Sequence, residues 1–188
     1  MRIRRNIYLV GFMGTGKSTV GRELARFMGR KFMDMDALLE ERAGMTINEI
    51  FDTHGEEYFR KMEMDLALEL SREENRVIAT GGGTILNDQI RELFAQSGLI
   101  ICLVADTEHL ISRLKRTDKR PLLRGDREKV AQKVKMLLED RKNIYFKIPI
   151  RVDTTSLTPQ EAARKIIDTL KMRIRILDQL HNQYIHIS

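Results

Sequence analysis

The 188-residue chain is long enough for one domain with a sizeable core and too short for several. Its 42% hydrophobic and 32% charged residues exclude a fibre or a disordered chain, and its single cysteine excludes an intramolecular disulfide framework. A net charge of +6 suits an anionic partner, with a nucleic acid, a membrane surface and a phosphorylated small molecule all open.

Arg2, Arg4 and Arg5 make the N-terminus basic, but the apolar run after them, 7–10, is too short for a secretory signal. No apolar run approaches the roughly 18 residues of a membrane span. The expected setting is therefore a reducing cytoplasm, with no membrane partner. Cys102 lies in the apolar run 99–104 and reads as a buried small side chain.

Short apolar runs alternate with longer helical patterns. Residues 7–10 read as a buried strand, and a helix follows over about 17–28, with Val20, Leu24 and Phe27 on one face. Residues 31–33 suggest a second strand and 36–42 a short helix. Thr46 and Glu49 form a capping box that opens another helix, and Gly55 precedes a longer one to about Ser71. Residues 76–80 form a strand ended by Gly81, Gly82 and Gly83. Asn87 caps a helix to Ser97. The most apolar strand, 99–104, is of the kind covered on both faces. Helices are expected over 107–116 and 126–143, and a last strand over 150–152. Thr158 and Glu161 form a second capping box, with Pro159 at the first helical position. This alternation predicts an α/β fold: a three-layer α/β/α sandwich around a mainly parallel sheet. The basic stretch 117–125, with Pro121 and Gly125, reads as a mobile loop.

Residues 11–18, GFMGTGKS, match the phosphate-binding pattern GxxxxGK followed by Ser or Thr. The glycines let consecutive N–H groups point at phosphate oxygens, and the following helix offers its positive end. Lys17 can reach the β- and γ-phosphates, and the Ser18 hydroxyl can ligate Mg²⁺. The motif follows a strand and opens a helix, as the mechanism requires. Nucleoside triphosphate binding is the firmest reading of the residues alone.

The acceptor side is less decided. Asp34 and Asp36 are two apart, and on an extended segment they face the same side, where they can bind Mg²⁺ through water or orient a hydroxyl. Equally, Asp36 merely caps the next helix. Arg60 lies inside an amphipathic helix, where a solvated face is the plainer explanation. Three glycines directly after a strand let a ligand approach the backbone, or form a plain turn. Residues 113–127 carry seven basic and two acidic side chains and suit a loop that closes over phosphates, or a solvated surface. Arg141, on the following helix, says little alone.

Taken together, the ordered segments GFMGTGKS, FMDMD, GEEYFRKMEMD, ATGGGT, KRPLLRG, LEDRKNIY and RVDTTSLTP resemble shikimate kinase over roughly 6–170. The resemblance implies a P-loop kinase fold with a five-stranded parallel sheet and a mobile lid. It implies one domain over 1–170, with a shikimate-binding region near 34–61 and the lid near 113–126; beyond 170 the chain departs from the family pattern, and the helical spacing of Leu170, Ile174, Leu177, Leu180 and Tyr184 predicts a C-terminal helical extension over 171–188, with the last helix reaching about Tyr184. It implies ATP and Mg²⁺, shikimate as the small-molecule partner, no nucleic acid, and a monomer. Gly14, Thr15, Gly16, Lys17, Ser18 and Thr19 would hold the ATP phosphates, and Ser18 and Asp34 the metal. Asp34 would also stand near the acceptor hydroxyl as a candidate base. Asp36 would bond the shikimate hydroxyls, Arg60 and Arg141 would clamp its carboxylate, and Gly81, Gly82 and Gly83 would line its pocket. Arg120 would act from the lid on the transferring phosphate, and Arg113 and Pro159 would flank adenine. The competing expectations are a related kinase for gluconate or a nucleoside monophosphate, and a nucleic-acid-binding or regulatory nucleotide switch. Aromatics at 6%, without tryptophan, disfavour the second of these.

Overall fold

A computed structural model describes residues 5–114 and 127–185 of the chain. Arg120 and positions 115–126 of the expected lid lie outside the described residues, as do 186–188 of the extension.

Five strands form one sheet: β1 (Asn6–Gly11), β2 (Lys31–Asp34), β3 (Arg76–Ala79), β4 (Gly98–Val104) and β5 (Ile150–Asp153). Their order is β2-β3-β1-β4-β5, and every pairing is parallel. β1 is central and wholly buried, which explains its unbroken apolar run. Its alternate residues enter different cores. Ile7 and Leu9 pack with Val20 and Leu24 of α1 (Lys17–Met28) and with Ala162 and Ile166 of α7 (Pro159–Ile185). On the other face Tyr8 packs with Leu39, Leu66 and Phe94, from α2 (Met35–Ala43), α3 (Ile47–Arg72) and α4 (Asp88–Ser97). Val10 and Cys102 join a third cluster with Leu110 and Leu114 of α5 (Thr107–Leu114) and Val134 and Tyr145 of α6 (Arg127–Phe146). The result is the expected three-layer sandwich, with the loops after the strands gathered at one edge of the sheet.

Local chemistry sets the helix ends. The Thr46–Glu49 and Thr158–Glu161 capping boxes both form. α3 is interrupted at Gly55, whose φ of 83° and ψ of 175° no helix contains, so a kink joins the two helices expected separately. α6 runs three residues past the expected end at 143, and a single 3₁₀ turn, Thr84–Leu86, that periodicity did not predict follows the triglycine. The pairing of Asp34 and Asp36 as neighbours on an extended segment is not what forms. β2 stops at Asp34 and α2 starts at Met35, so the two carboxylates straddle a strand–helix junction. The cap of α2 is Asp34, which accepts the N–H of Asp36 at 3.2 Å, and not Asp36.

α7 spans 27 residues, roughly 40 Å at 1.5 Å per residue, and reaches Ile185, one residue beyond the expected end. In the part past Leu170, the Arg173 guanidinium donates to the Pro149 carbonyl at 2.7 Å, tying the extension to the start of β5.

Candidate active site

The loop after β1 turns through left-handed backbone at Gly14 and Gly16, and Gly16 precedes α1 with no side chain capping that helix. The uncapped N–H groups and the dipole point to an anion. The Phe12 carbonyl holds the loop together. It accepts the Thr15 N–H at 3.3 Å, the Thr15 hydroxyl at 2.8 Å and the Lys17 ammonium at 3.2 Å. Lys17 also donates to the Gly11 carbonyl at 2.9 Å and is only 8% exposed. Its charge is therefore stored within the loop. Thr15 is buried and bonded inward, so it shapes the loop, and the exposed Thr19 hydroxyl donates to Gly16. Ser18 is half-buried in the first turn of α1.

The donor set suits Mg²⁺. No group of three His, Cys, Asp or Glu able to hold a metal occurs among the described residues. A Ser hydroxyl and one carboxylate are hard oxygen donors, the minimal set for an ion that keeps its waters and arrives with phosphate oxygens. Asp34 Oδ1 is committed to capping α2, and Oδ2 takes no hydrogen bond from the described residues.

The triglycine after β3 is where Asp36, Arg60 and Arg141 meet. A Cβ at Gly81 would stand 2.8 Å from Asp36 Oδ1, 2.9 Å from the Thr84 hydroxyl and 3.3 Å from Glu63 Oε1, so any side chain there would displace those groups. A Cβ at Gly83 would stand 3.4 Å from Arg60 Nη2, and one at Gly82 would stand 3.6 Å from the backbone nitrogen of Met13 in the phosphate loop. The Gly82 carbonyl accepts from Arg141 Nη1 at 3.0 Å and from the Tyr145 hydroxyl at 3.2 Å. Asp36, Arg60 and Arg141, from α2, α3 and α6, are thus gathered on one bare strip of backbone beside the phosphate loop.

Arg60 is held by two acids. Nη1 donates to Glu63 Oε2 at 2.8 Å, while Nε and Nη2 share Glu56 Oε1 at 3.2 and 3.1 Å. Burial disfavours the guanidinium charge, but Glu63 and then Glu56 outweigh it, so the Arg60 pKa is raised. Glu63 is 2% exposed, and its other oxygen accepts the Thr84 hydroxyl at 2.6 Å. Arg113 donates to the carbonyls of Gly14 at 3.3 Å, Thr154 at 2.9 Å and Thr155 at 3.1 Å, linking the phosphate loop to the loop after β5. Pro159 opens α7 just beyond that loop.

A family model described as shikimate kinase matches residues 13–171. The chain belongs to the shikimate kinase family. The shikimate kinase of Geobacter sulfurreducens is 43% identical over 162 residues, 86% of this chain and 88% of that one. That of Thermodesulfovibrio yellowstonii is 42% identical over 163 residues, 87% and 93% of the two chains. The structure of shikimate kinase from Acinetobacter baumannii in complex with shikimate aligns with a TM-score of 0.86 at 37% identity, covering 92% of this chain and 96% of that one. A gluconokinase from Sinorhizobium meliloti shares the fold alone, with a TM-score of 0.58 at 19% identity.

The reading of the sequence missed Glu63, Thr84 and Tyr145. A buried acid in mid-helix leaves a faint signal: Glu63 stands three residues after Arg60, on the same helix face. Thr84 and Tyr145 leave none, because their roles depend on where the triglycine folds.

Proposed function

We propose that this chain performs the reaction of its family, moving the γ-phosphate of ATP to the 3-hydroxyl of shikimate to give shikimate 3-phosphate and ADP. The observation that carries this reading is the convergence of Asp36, Arg60 and Arg141 on the triglycine beside the phosphate loop. A carboxylate and two guanidiniums suit a ligand bearing hydroxyls and a carboxylate.

Lys17, released from the Gly11 and Phe12 carbonyls, takes the β- and γ-phosphates, with the amides of 14–19 around them. Ser18 would ligate Mg²⁺ and Asp34 would hold it through a bound water, and the ion would neutralise phosphate charge. The substrate carboxylate displaces the exposed Glu56 from Arg60, while buried Glu63 keeps its hold. Arg141 takes the same carboxylate, and Asp36 orients the ring hydroxyls. The acceptor oxygen then attacks the γ-phosphorus in line, the bond to the β-phosphate oxygen breaks, and ADP leaves. The hydroxyl proton passes to Asp34. The transition state is loose, so placement and charge stabilisation dominate. Arg120 supplies further positive charge on the strength of its RPLL segment, and Arg113 and Pro159 border the adenine. A cytoplasmic location and a monomeric state complete the reading.

A coupled ADP-release assay with ATP and Mg²⁺ tests it, comparing shikimate, gluconate and AMP. Shikimate-dependent turnover is expected. Its absence, or substantial turnover of gluconate or AMP, overturns the assignment.

A further inference from the structure

Arg141 and Tyr145 stand four residues apart on α6, and therefore on one face of it. Both donate to one atom, the Gly82 carbonyl oxygen. That oxygen has two lone pairs, so the two donors saturate it. The donors differ in kind. Arg141 is half-buried, with its guanidinium 5.6 Å from the centre of the Phe12 ring. Tyr145 is 6% exposed and belongs to the cluster of Val10, Cys102, Val134 and Ile148. Burial pushes its hydroxyl up to about 12, although the Arg141 charge and hydrogen bond pull the other way. It keeps its proton near neutral pH and is a standing donor.

One of these two donors has another task. A carboxylate is a better partner for a guanidinium than a neutral carbonyl is, by roughly a factor of two in hydrogen-bond strength. An arriving carboxylate therefore draws Arg141 away from Gly82. Left alone, the Gly82 carbonyl would lose its partner just as ligand covers it, and a polar group buried without a partner opposes the binding that buried it.

We propose that Tyr145 is a positioning residue that keeps the Gly82 carbonyl bonded while Arg141 transfers to the carboxylate of the acceptor. The inference rests on the assignment of Arg141 to that carboxylate. In this arrangement Arg141 waits on Gly82, close to its target, and its departure leaves the glycine strip in place. Tyr145 never touches the acceptor and acts only through Gly82 and Arg141.

The test is Tyr145→Phe in the full chain, which deletes one oxygen and leaves the ring in its apolar cluster. The KM for shikimate is expected to rise about tenfold, with kcat and the KM for ATP within about twofold of the parent. In an Arg141→Ala background the same substitution also leaves the Gly82 carbonyl without either donor beneath the ligand, so a further rise of similar size is expected. An unchanged shikimate KM in Tyr145→Phe refutes the proposal. So does loss of the effect in the Arg141→Ala background, which would mark Tyr145 as a support for Arg141 alone, or a parallel rise in both KM values with a lowered Tm, which would mark a general structural prop. The underlying assignment fails separately, if Arg141→Ala alone leaves the shikimate KM unchanged, and the proposal falls with it.

Discussion

Glu63→Gln isolates the charge that anchors Arg60. The amide is isosteric, and its oxygen can still accept from Arg60 while its nitrogen donates to the Thr84 hydroxyl, which accepts as readily as it donates. What is lost is the ionic part of a 2.8 Å hydrogen bond made by an acid that is 2% exposed. Such charge-assisted bonds contribute about 1.5–3 kcal/mol when buried, and the 36% exposure of the Arg60 side chain reduces this to about 1–2 kcal/mol. For a chain of this size that is a fall in Tm of about 2–8 °C. The same energy, felt through a loosened Arg60, raises the shikimate KM by about 5- to 30-fold and leaves the ATP KM unchanged. Glu56→Gln is the control, because that acid is 67% exposed and its ion pair is worth about 0–1 kcal/mol. Thermal melts and steady-state kinetics on both variants decide the matter. An unchanged Tm and shikimate KM in Glu63→Gln, or equal effects of the two substitutions, would refute the idea that the buried acid sets the position of Arg60.

Two further outcomes follow from contacts in the structure. Gly81→Ala sets a methyl group 2.8 Å from Asp36 Oδ1 and 2.9 Å from the Thr84 hydroxyl, so Asp36 must shift. Shikimate turnover should fall at least tenfold while ATP binding, measured by calorimetry, persists, since a 1 Å misplacement costs about 100-fold in a positioned reaction. Glu161 has its pKa lowered from 4.5 by the N–H and then the hydroxyl of Thr158. A lowered folded-state pKa means that the stabilisation is complete above 4.5 and is lost as pH falls through the folded value. The Tm gap between the parent and Glu161→Ala should therefore be full at neutral pH and shrink below about pH 4.5, as followed by circular dichroism.

The fold was legible wherever a residue's role is local. The apolar run of β1, the boxes at Thr46 and Thr158 and the cap at Asn87 each announce themselves within four residues, and each formed. The phosphate loop is equally self-contained. Asp34 and Asp36 were legible as a pair but not in their geometry, because a two-residue period assumes that the strand continues, and Asp34 ends it by capping α2. The expectation that Lys17 takes phosphate came from the motif alone, and its bonds to the Gly11 and Phe12 carbonyls left no signal in the sequence. Thr84 and Tyr145 were illegible because their partners lie 21 and 63 residues away and meet only across the triglycine, and Glu63 showed only through its spacing from Arg60.

The neighbouring places of β1 and β3 have a consequence for the chemistry. The phosphate loop leaves one strand and the glycine strip leaves the next, and backbone hydrogen bonds hold adjacent strands about 4.8 Å apart. In the proposed reaction, with ATP on the loop and shikimate on the strip, the separation of donor and acceptor is thereby set by the peptide backbone, the least variable part of any protein. Side chains on α2, α3 and α6 are left to choose which molecule lies in the gap. Substitution can retune the acceptor without changing the distance across which the phosphate must travel.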